Sequence, residues 1–166
     1  MQVNDPVSVL LEKLAAFSAW LQQRLSAPDV DWCCKPAEGE WCLTEVMCHL
    51  RDVELEVHQP RFEAILSNPG AFLPGAVADE WVEERAYFRQ HGPTALAQFL
   101  AARAETMALL PPHDSDLWQR QGEHSFFGPT TMHELLNLAV QHDQAHREQV
   151  EKLLDGAGDE MHPEAY

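Results

Sequence analysis

Residues 131–154 read TMHELLNLAVQHDQAHREQVEKLL, and apolar side chains recur along them every three to four positions. That period is typical of an amphipathic helix. Thr131 and Glu134 match a capping box, so we expect the helix to begin at Thr130 or Thr131 and to end at Asp155-Gly156. The face that it buries carries two histidines among apolar side chains: Leu135, Leu138, Ala139, His142, His146, Val150 and Leu153.

Three further segments show the same period, over residues 5–25, from about Cys42 or Thr44 to Leu66, and over residues 94–110. Four helices that each bury one face predict an all-α protein with the architecture of a four-helix bundle. Pro60 lies inside the second helix, where we expect a kink or a break. The connection over residues 70–93 leaves the packing order open, and its part around 79–89 predicts an extra short helix. No segment has the pattern of a strand hairpin.

The length of 166 residues fits one domain over residues 1–166, with the last ten residues as a polar tail. Acidic residues number 27 against 11 Lys and Arg, a net charge of −16. Such a charge repels phosphate backbones and anionic lipid, which argues against nucleic-acid and membrane partners. The four cysteines have no disulfide spacing, no stretch suits a bilayer span, and residues 1–5 lack the features of a signal peptide. We therefore expect a cytoplasmic protein with reduced thiols.

Three histidines are the candidate metal ligands. His142 and His146 are four residues apart, so they lie one turn apart on the same buried helical face. His49 stands between apolar residues of the second helix. Buried imidazoles are costly without partners, and a divalent cation can accept a lone pair from all three. The alternative is that each is an ordinary core histidine, and the metal hypothesis requires the second and fourth helices to be neighbours.

The other six histidines give no such pattern. His58 is nine residues after His49, which places it on the opposite face of an ideal helix. His124 lies in a Phe-rich loop that could fold over the open end of the bundle, so it is kept as a secondary candidate. The run from His142 to His146 differs from the H-E-x-x-H protease motif by an Asp, and the extended motif would need other residues at 149 and 152. We therefore do not expect a protease.

Three segments resemble the DinB-like (DNA-damage-inducible) superfamily of metal-binding four-helix bundles. They are residues 40–50 (EWCLTEVMCHL), 127–131 (FGPTT) and 142–149 (HDQAHREQ), in the family's order. The resemblance implies the bundle fold, frequent homodimers, and His49, His142 and His146 as metal ligands. Family members studied as enzymes include thiol-dependent S-transferases and mycothiol-dependent isomerases, and many others have no assigned activity. Cys42 stands where the family often has a Ser cap, so we expect Thr44 to be the cap instead.

Three neutral ligands leave open positions on an ion, as in catalytic sites. The leading hypothesis is a metal-dependent enzyme that activates a small thiol, as in a bacillithiol-type S-transferase, or a water, as in a hydrolase, against an electrophilic small-molecule substrate. Asp143 and Glu45 are candidates for orienting the imidazoles, and Arg103 for pairing a buried carboxylate or an anionic substrate. Imidazoles do not distinguish Zn, Ni, Fe and Mn. The alternative is a non-catalytic, dimeric stress-response or binding module with a structural or vestigial metal site.

Overall fold

The computed structural model describes residues 5–113 and 115–159. Seven α-helices, one π-helix and two 3₁₀-helices account for most of them. The α-helices are α1 (Val7–Arg24), α2 (Leu43–Val53), α3 (Gln59–Ser67), α4 (Trp81–Glu84), α5 (Gly92–Leu109), α6 (Ser115–Trp118) and α7 (Met132–Asp159). The π-helix (Glu54–His58) joins α2 to α3 without a loop, and the 3₁₀-helices are Ala78–Glu80 and Tyr87–Arg89.

The four long helical segments form a bundle in which α1 packs against α7 and α2 packs against α5. Two apolar clusters fill its interior. One surrounds Met47 and Phe99, and the other surrounds Phe62 and Leu136, all with exposures of 1% or less. Helix α2 also contacts α7, so the second and fourth predicted helices are neighbours as the metal hypothesis required. The predicted all-α four-helix bundle is confirmed.

The second helix departs from the predicted regular pattern. It does not break at Pro60, but its last turn before that residue widens into the π-helix, in which the amide of Gln59 donates to the carbonyl of Glu54. Pro60 has no amide proton, and its ring would crowd the carbonyl four residues earlier in an α-helix. A π-helix also takes up one residue more than an α-turn, so every residue after it is rotated relative to the α-helical prediction.

The prediction that no segment forms a strand hairpin is wrong. Three short strands, β1 (Phe72–Leu73), β2 (Gln121–His124) and β3 (Gly128–Thr131), form a sheet in the order β1-β2-β3, with β1 parallel and β3 antiparallel to β2. Strands of two to four residues are too short to show a two-residue period in the sequence. Gly122 allows the close approach of β1, because a Cβ there would meet Leu73 and the carbonyl of Ala71 at 2.8–2.9 Å.

The helix ends agree with most of the predicted boundaries. At the start of α7, the amide of Thr131 donates to the Glu134 carboxylate at 2.7 Å, and the Glu134 amide donates back to the Thr131 hydroxyl, so the capping box is confirmed. The helix runs past Gly156 to Asp159, further than expected. Most of the predicted polar tail lies outside the described residues.

Other local predictions have mixed outcomes. The extra short helix predicted in the 70–93 connection is α4, with the 3₁₀-helices Ala78–Glu80 before it and Tyr87–Arg89 after it. Helix α2 is capped by Cys42 rather than Thr44, since Glu45 accepts the Cys42 amide at 2.8 Å. All four cysteines are free thiols. Among the described residues, no helix has the combination of length and apolar character that crossing a membrane requires.

Candidate metal centre

The three candidate ligands meet inside the bundle. His49 comes from α2, and His142 and His146 come from successive turns of α7. Nε2 of His142 lies 3.2 Å from Nε2 of His49 and 3.1 Å from Nε2 of His146. One ligand atom from each of the three lies within 4.8 Å of the other two. The spacing on α7 and the contact of α2 with α7 together produce this convergence.

The two Nε2 separations from His142 fit a shared metal ion. Two nitrogens bound to one ion at about 2.1 Å lie roughly 3.0–3.4 Å apart, a range that contains both measured Nε2 separations. Without a cation the arrangement is poor, because Nε2 of a neutral imidazole carries either one proton or one lone pair. His142 faces two such nitrogens and cannot form a good hydrogen bond with both. The donor set therefore forms a three-histidine group that could hold a metal ion.

Burial keeps all three rings in the neutral form that binds metals. It lowers the pKa of His49 to about 4, with a further contribution from the nearby His146. Burial also lowers the pKa of His142 and that of His146 below the ordinary value for histidine. Because a metal competes with protons for the same lone pair, a depressed pKa favours metal binding at neutral pH.

His146 is the ligand whose tautomer the structure determines. Its Nδ1 donates to Oε1 of Gln149 at 2.8 Å, which leaves the lone pair on Nε2 facing the other two rings. Nδ1 of His49 and Nδ1 of His142 are buried without a hydrogen-bond partner among the described residues. Gln149 therefore orients one ring of the group, although its only predicted significance was its place in the family signature.

The residues proposed to orient the imidazoles have other partners. Glu45 accepts hydrogen bonds from the Cys42 amide and from Lys35 Nζ. Asp143 is bound by two nitrogens of Arg103, at 2.6 and 2.9 Å. Neither carboxylate hydrogen-bonds to an imidazole of the group within the described part of the chain. The prediction that Asp143 and Glu45 orient the imidazoles is therefore corrected. Glu45 caps helix α2, and Asp143 pairs with the buried cation of Arg103.

Arg103 pairs with carboxylates, which was the first of its two expected roles. Besides Asp143, it contacts Glu54 of the π-helix at 2.9 Å, and all three side chains are at most 5% exposed. This network lies behind the histidines and joins α5, α7 and the π-helix. Its charge is already compensated, so Arg103 is not available as a free cation for a substrate.

The prediction that His58 lies on the opposite face of its helix is wrong. Its ring lies 5.4 Å from that of His142, measured between centroids. Nine residues span about two and a half α-helical turns, but the π-helix takes up one of them and brings His58 round to the side of His49. Burial lowers the pKa of His58 to about 4. Sequence periodicity alone could not reveal this change of register.

A cavity of about 940 Å³ opens beside the three histidines and is lined by them. Trp41 forms part of its wall, with its ring 5.0 Å from that of His49. Asp79, from the 3₁₀-helix before α4, also lines it, and its negative charge acts on both His49 and His146. His124, the secondary candidate, lies on the cavity wall with the phenylalanines that follow it. Asp79 has no sequence signal, because only the folded 70–93 connection places it there.

Comparisons with known proteins agree with this architecture. YfiT from Bacillus subtilis, described as a probable metal-dependent hydrolase with an unusual four-helix bundle topology, has the same fold. The two share 20% sequence identity with a TM-score of 0.79, over 92% of this chain and 87% of the YfiT chain. A comparison with curated proteins finds no match. The family model of the DinB superfamily matches residues 10–150, so the chain belongs to the DinB superfamily.

Proposed function

We propose that this protein is a metal-dependent enzyme in which His49, His142 and His146 hold one divalent ion. The observation that carries this proposal is that three neutral Nε2 atoms converge on the wall of a cavity large enough for a small molecule. Three protein ligands leave positions on an ion for water or substrate, as in catalytic sites. A structural ion would be expected in a closed site with four protein ligands.

The ion would lower the pKa of a bound water or thiol and so supply a nucleophile near neutral pH. Asp79 is the carboxylate best placed to accept the released proton, because it lines the cavity and its charge acts on two of the three histidines. Gln149 fixes the ring orientation of His146. The cavity wall also includes the apolar side chains of Val53 and Val57.

The proposal allows two nucleophiles at the ion, water or a small thiol. Water would make the protein a hydrolase, and the description of YfiT as a probable metal-dependent hydrolase supports this choice by analogy of fold. A small thiol would make it an S-transferase, as the family resemblance suggests. The same ion and cavity serve both, so substrate assays must separate them.

The competing proposal is a non-catalytic, dimeric module with a structural or vestigial metal site. A closed and dry site would favour it, and the open cavity beside the histidines supports the enzyme instead. A role in stress response and the homodimer are separate proposals that depend on the family resemblance alone.

Metal content tests the ligand assignment. We expect purified protein to contain about one divalent ion per chain, and His49→Ala and His142→Ala to lose most of it because each removes one of three ligands. His113→Ala is the matched control, since His113 is exposed and does not line the cavity. Equal metal content in all four proteins, by elemental analysis, would contradict the assignment.

Activity assays test the catalytic proposal on metal-loaded protein. One arm supplies bacillithiol, mycothiol or glutathione with a chloroarene electrophile, and the other supplies activated esters and amides without thiol. We expect turnover in one arm that chelation abolishes, and we expect Asp79→Asn to lower kcat more than metal content. Metal-bound protein that turns over no substrate in either arm would favour the non-catalytic module.

A further inference from the structure

Arg61, on α3, is a half-buried cation with no counter-ion among the described residues. Its Nη2 donates to the carbonyl of Pro74 at 2.8 Å, while its Nε is buried and finds no hydrogen-bond partner in the same part of the chain. No carboxylate of the described residues forms an ion pair with it, whereas Arg51, Arg85 and Arg103 each pair with one or two. Burial lowers the pKa of Arg61. An unpaired, partly desolvated guanidinium is energetically costly. It is unexpected in a protein with 27 acidic residues, any of which could have provided a counter-ion.

His124, on β2, supplies a second unused donor. The side chain is 2% exposed, and its Nδ1 accepts the amide proton of Phe126 at 3.1 Å. Because Nδ1 is the acceptor, Nε2 of the neutral ring carries the proton. That Nε2 is buried and has no hydrogen-bond partner among the described residues. Burial lowers the pKa of His124, and the positive charge of Arg61 lowers it further.

Arg61 and His124 line the same cavity as the three histidines. Together they contribute one positive charge and two N–H groups, Nε of Arg61 and Nε2 of His124, for which the described part of the chain supplies no acceptor. The net charge of −16 repels anions in general, so an anion needs a local cation and N–H donors in order to bind. The apolar side chains that line the cavity include Val57, Phe126 and Phe127.

We propose that Arg61 and His124 form a subsite for the carboxylate of the substrate, whose reacting group lies at His49, His142 and His146. The substrate class is therefore a small carboxylic acid with an apolar body, which lies against Val57, Phe126 and Phe127. A carboxylate has two oxygens, one for each unused donor, and its negative charge compensates the guanidinium. This inference rests on the proposed function for the reacting end, but the subsite itself requires no metal.

Binding to metal-free protein tests the subsite independently. Phenylacetate is the probe, and phenylacetamide is its uncharged analogue of the same shape. After removal of metal by chelation, we expect calorimetry to show phenylacetate binding at least about tenfold more tightly than phenylacetamide, because the hydrogen bonds are charge-assisted. Phenyl phosphate is the third ligand, and we expect it to bind more weakly than phenylacetate. Tighter binding of phenyl phosphate would overturn the assignment to carboxylates.

Two variants locate the effect. Arg61→Met should remove the preference for phenylacetate, and Arg120→Met should keep it. Arg120 is the matched control, because it also donates to a backbone carbonyl, that of Leu66, but does not line the cavity. We expect Arg61→Met to remain folded by circular dichroism, since it replaces an unpaired cation with an apolar side chain of similar length. Should this variant not fold, His124→Phe gives a second test with the same expectation.

The outcomes separate this inference from the proposed function. Arg61→Met should retain the metal content of the unaltered protein, since Arg61 is not one of the three ligands. Equal binding of phenylacetate and phenylacetamide to the unaltered protein would overturn the subsite and leave the metal-dependent enzyme standing. A phenylacetate preference that depends on Arg61, in a protein that binds no metal, would support the subsite while contradicting the proposed function.

Discussion

At the scale of single residues, burial and one hydrogen bond prepare the three imidazoles. Burial is the largest cause of the lowered pKa of each ring, so all three are neutral at pH 7. The bond from His146 Nδ1 to Gln149 then selects the tautomer with a free lone pair on Nε2. A histidine that already has the right tautomer and ring orientation binds an ion more tightly, because no free energy is spent on reorienting the ring.

Gln149→Leu should therefore weaken metal binding without removing a ligand. We expect the affinity to fall about 10- to 100-fold, the usual effect of losing an outer hydrogen bond to a ligating histidine. Competition with a chromophoric chelator measures this directly. Gln144→Leu is the control on the same helix, because Gln144 contacts only the nearby Glu148 and is exposed. An unchanged affinity in Gln149→Leu would show that His146 needs no orienting partner.

At the scale of secondary-structure elements, the π-helix determines what reaches the cavity. It rotates α3 relative to α2, which brings His58 beside His142 and places Arg61 on the cavity wall. The same rotation directs Phe62 and Ile65 into the core, where they are at most 1% exposed. The wider turn thus serves both the site and the packing of α3.

Deletion of Leu55 tests this element, since it removes one residue from the π-helix. The shorter segment can be a regular α-helix that leaves the orientation of α3 unchanged, because the deletion removes the one residue that the π-helix takes up. Pro60 would then lie inside a regular α-helix, where its ring crowds the carbonyl four residues earlier. We therefore expect a loss of about 3 kcal/mol in the free energy of unfolding, the usual cost of a proline inside a helix.

Urea denaturation gives that free energy, and Leu55→Ala is the control. Leu55 is 41% exposed, so the substitution should change stability by about 0.5 kcal/mol or less. A deletion variant as stable as Leu55→Ala would mean that a regular α-helix accommodates Pro60 equally well, and the π-helix would then have no role in relieving that crowding.

At the scale of the whole molecule, a buried ionic network connects three helical segments behind the site. Arg103 of α5 contacts Asp143 of α7 and Glu54 of the π-helix, and water is excluded from all three side chains. Asp143 directly follows His142, and Glu54 is the first residue of the π-helix after the α2 helix that carries His49. The network therefore fixes the two helices that carry the metal ligands relative to each other.

Arg103→Met should destabilise the protein by about 3–5 kcal/mol at neutral pH, because it leaves two buried carboxylates without a cation. Chemical denaturation of the metal-free protein measures this loss. Arg147→Met is the control, since the pair of Arg147 with Glu151 is at least 39% exposed on both sides and should contribute about 1 kcal/mol or less. A loss no larger than that of Arg147→Met would contradict a structural role for the network.

The destabilisation should depend on pH in a direction that the structure specifies. Burial would raise the pKa of Glu54, but the charges of Arg103 and His58 and the hydrogen bonds from Arg103 and Thr106 together outweigh it, so the pKa lies below the ordinary value. A carboxylate with a depressed pKa contributes stability above its unfolded pKa and loses it as the pH falls through the folded value. Burial raises the pKa of the other carboxylate, Asp143, to about 6, so Asp143 becomes neutral first. The difference between the unaltered protein and Arg103→Met should therefore begin to shrink near pH 6 and be smallest below about pH 4.5.

The amino-acid pattern was enough to predict the features that depend on local spacing. Apolar periodicity located the four long helices, the Thr131–Glu134 pair located the start of α7, and the four-residue separation placed His142 and His146 on one buried face. These predictions succeeded because each depends only on residues within a few turns of one another. His49 completed the group because its apolar neighbours also point inward.

Only the tertiary structure decided the features that depend on register and on contacts between distant segments. A single extra residue in a helical turn moved His58 and Arg61 to the cavity, and periodicity assumes that no such residue exists. The sequence does not show that Asp143 and Glu45 have other partners. In the fold Asp143 pairs with the buried cation of Arg103, and Glu45 caps helix α2. Asp79 and His124 reach the site from a connection and a short strand, whose positions follow from packing rather than from local pattern.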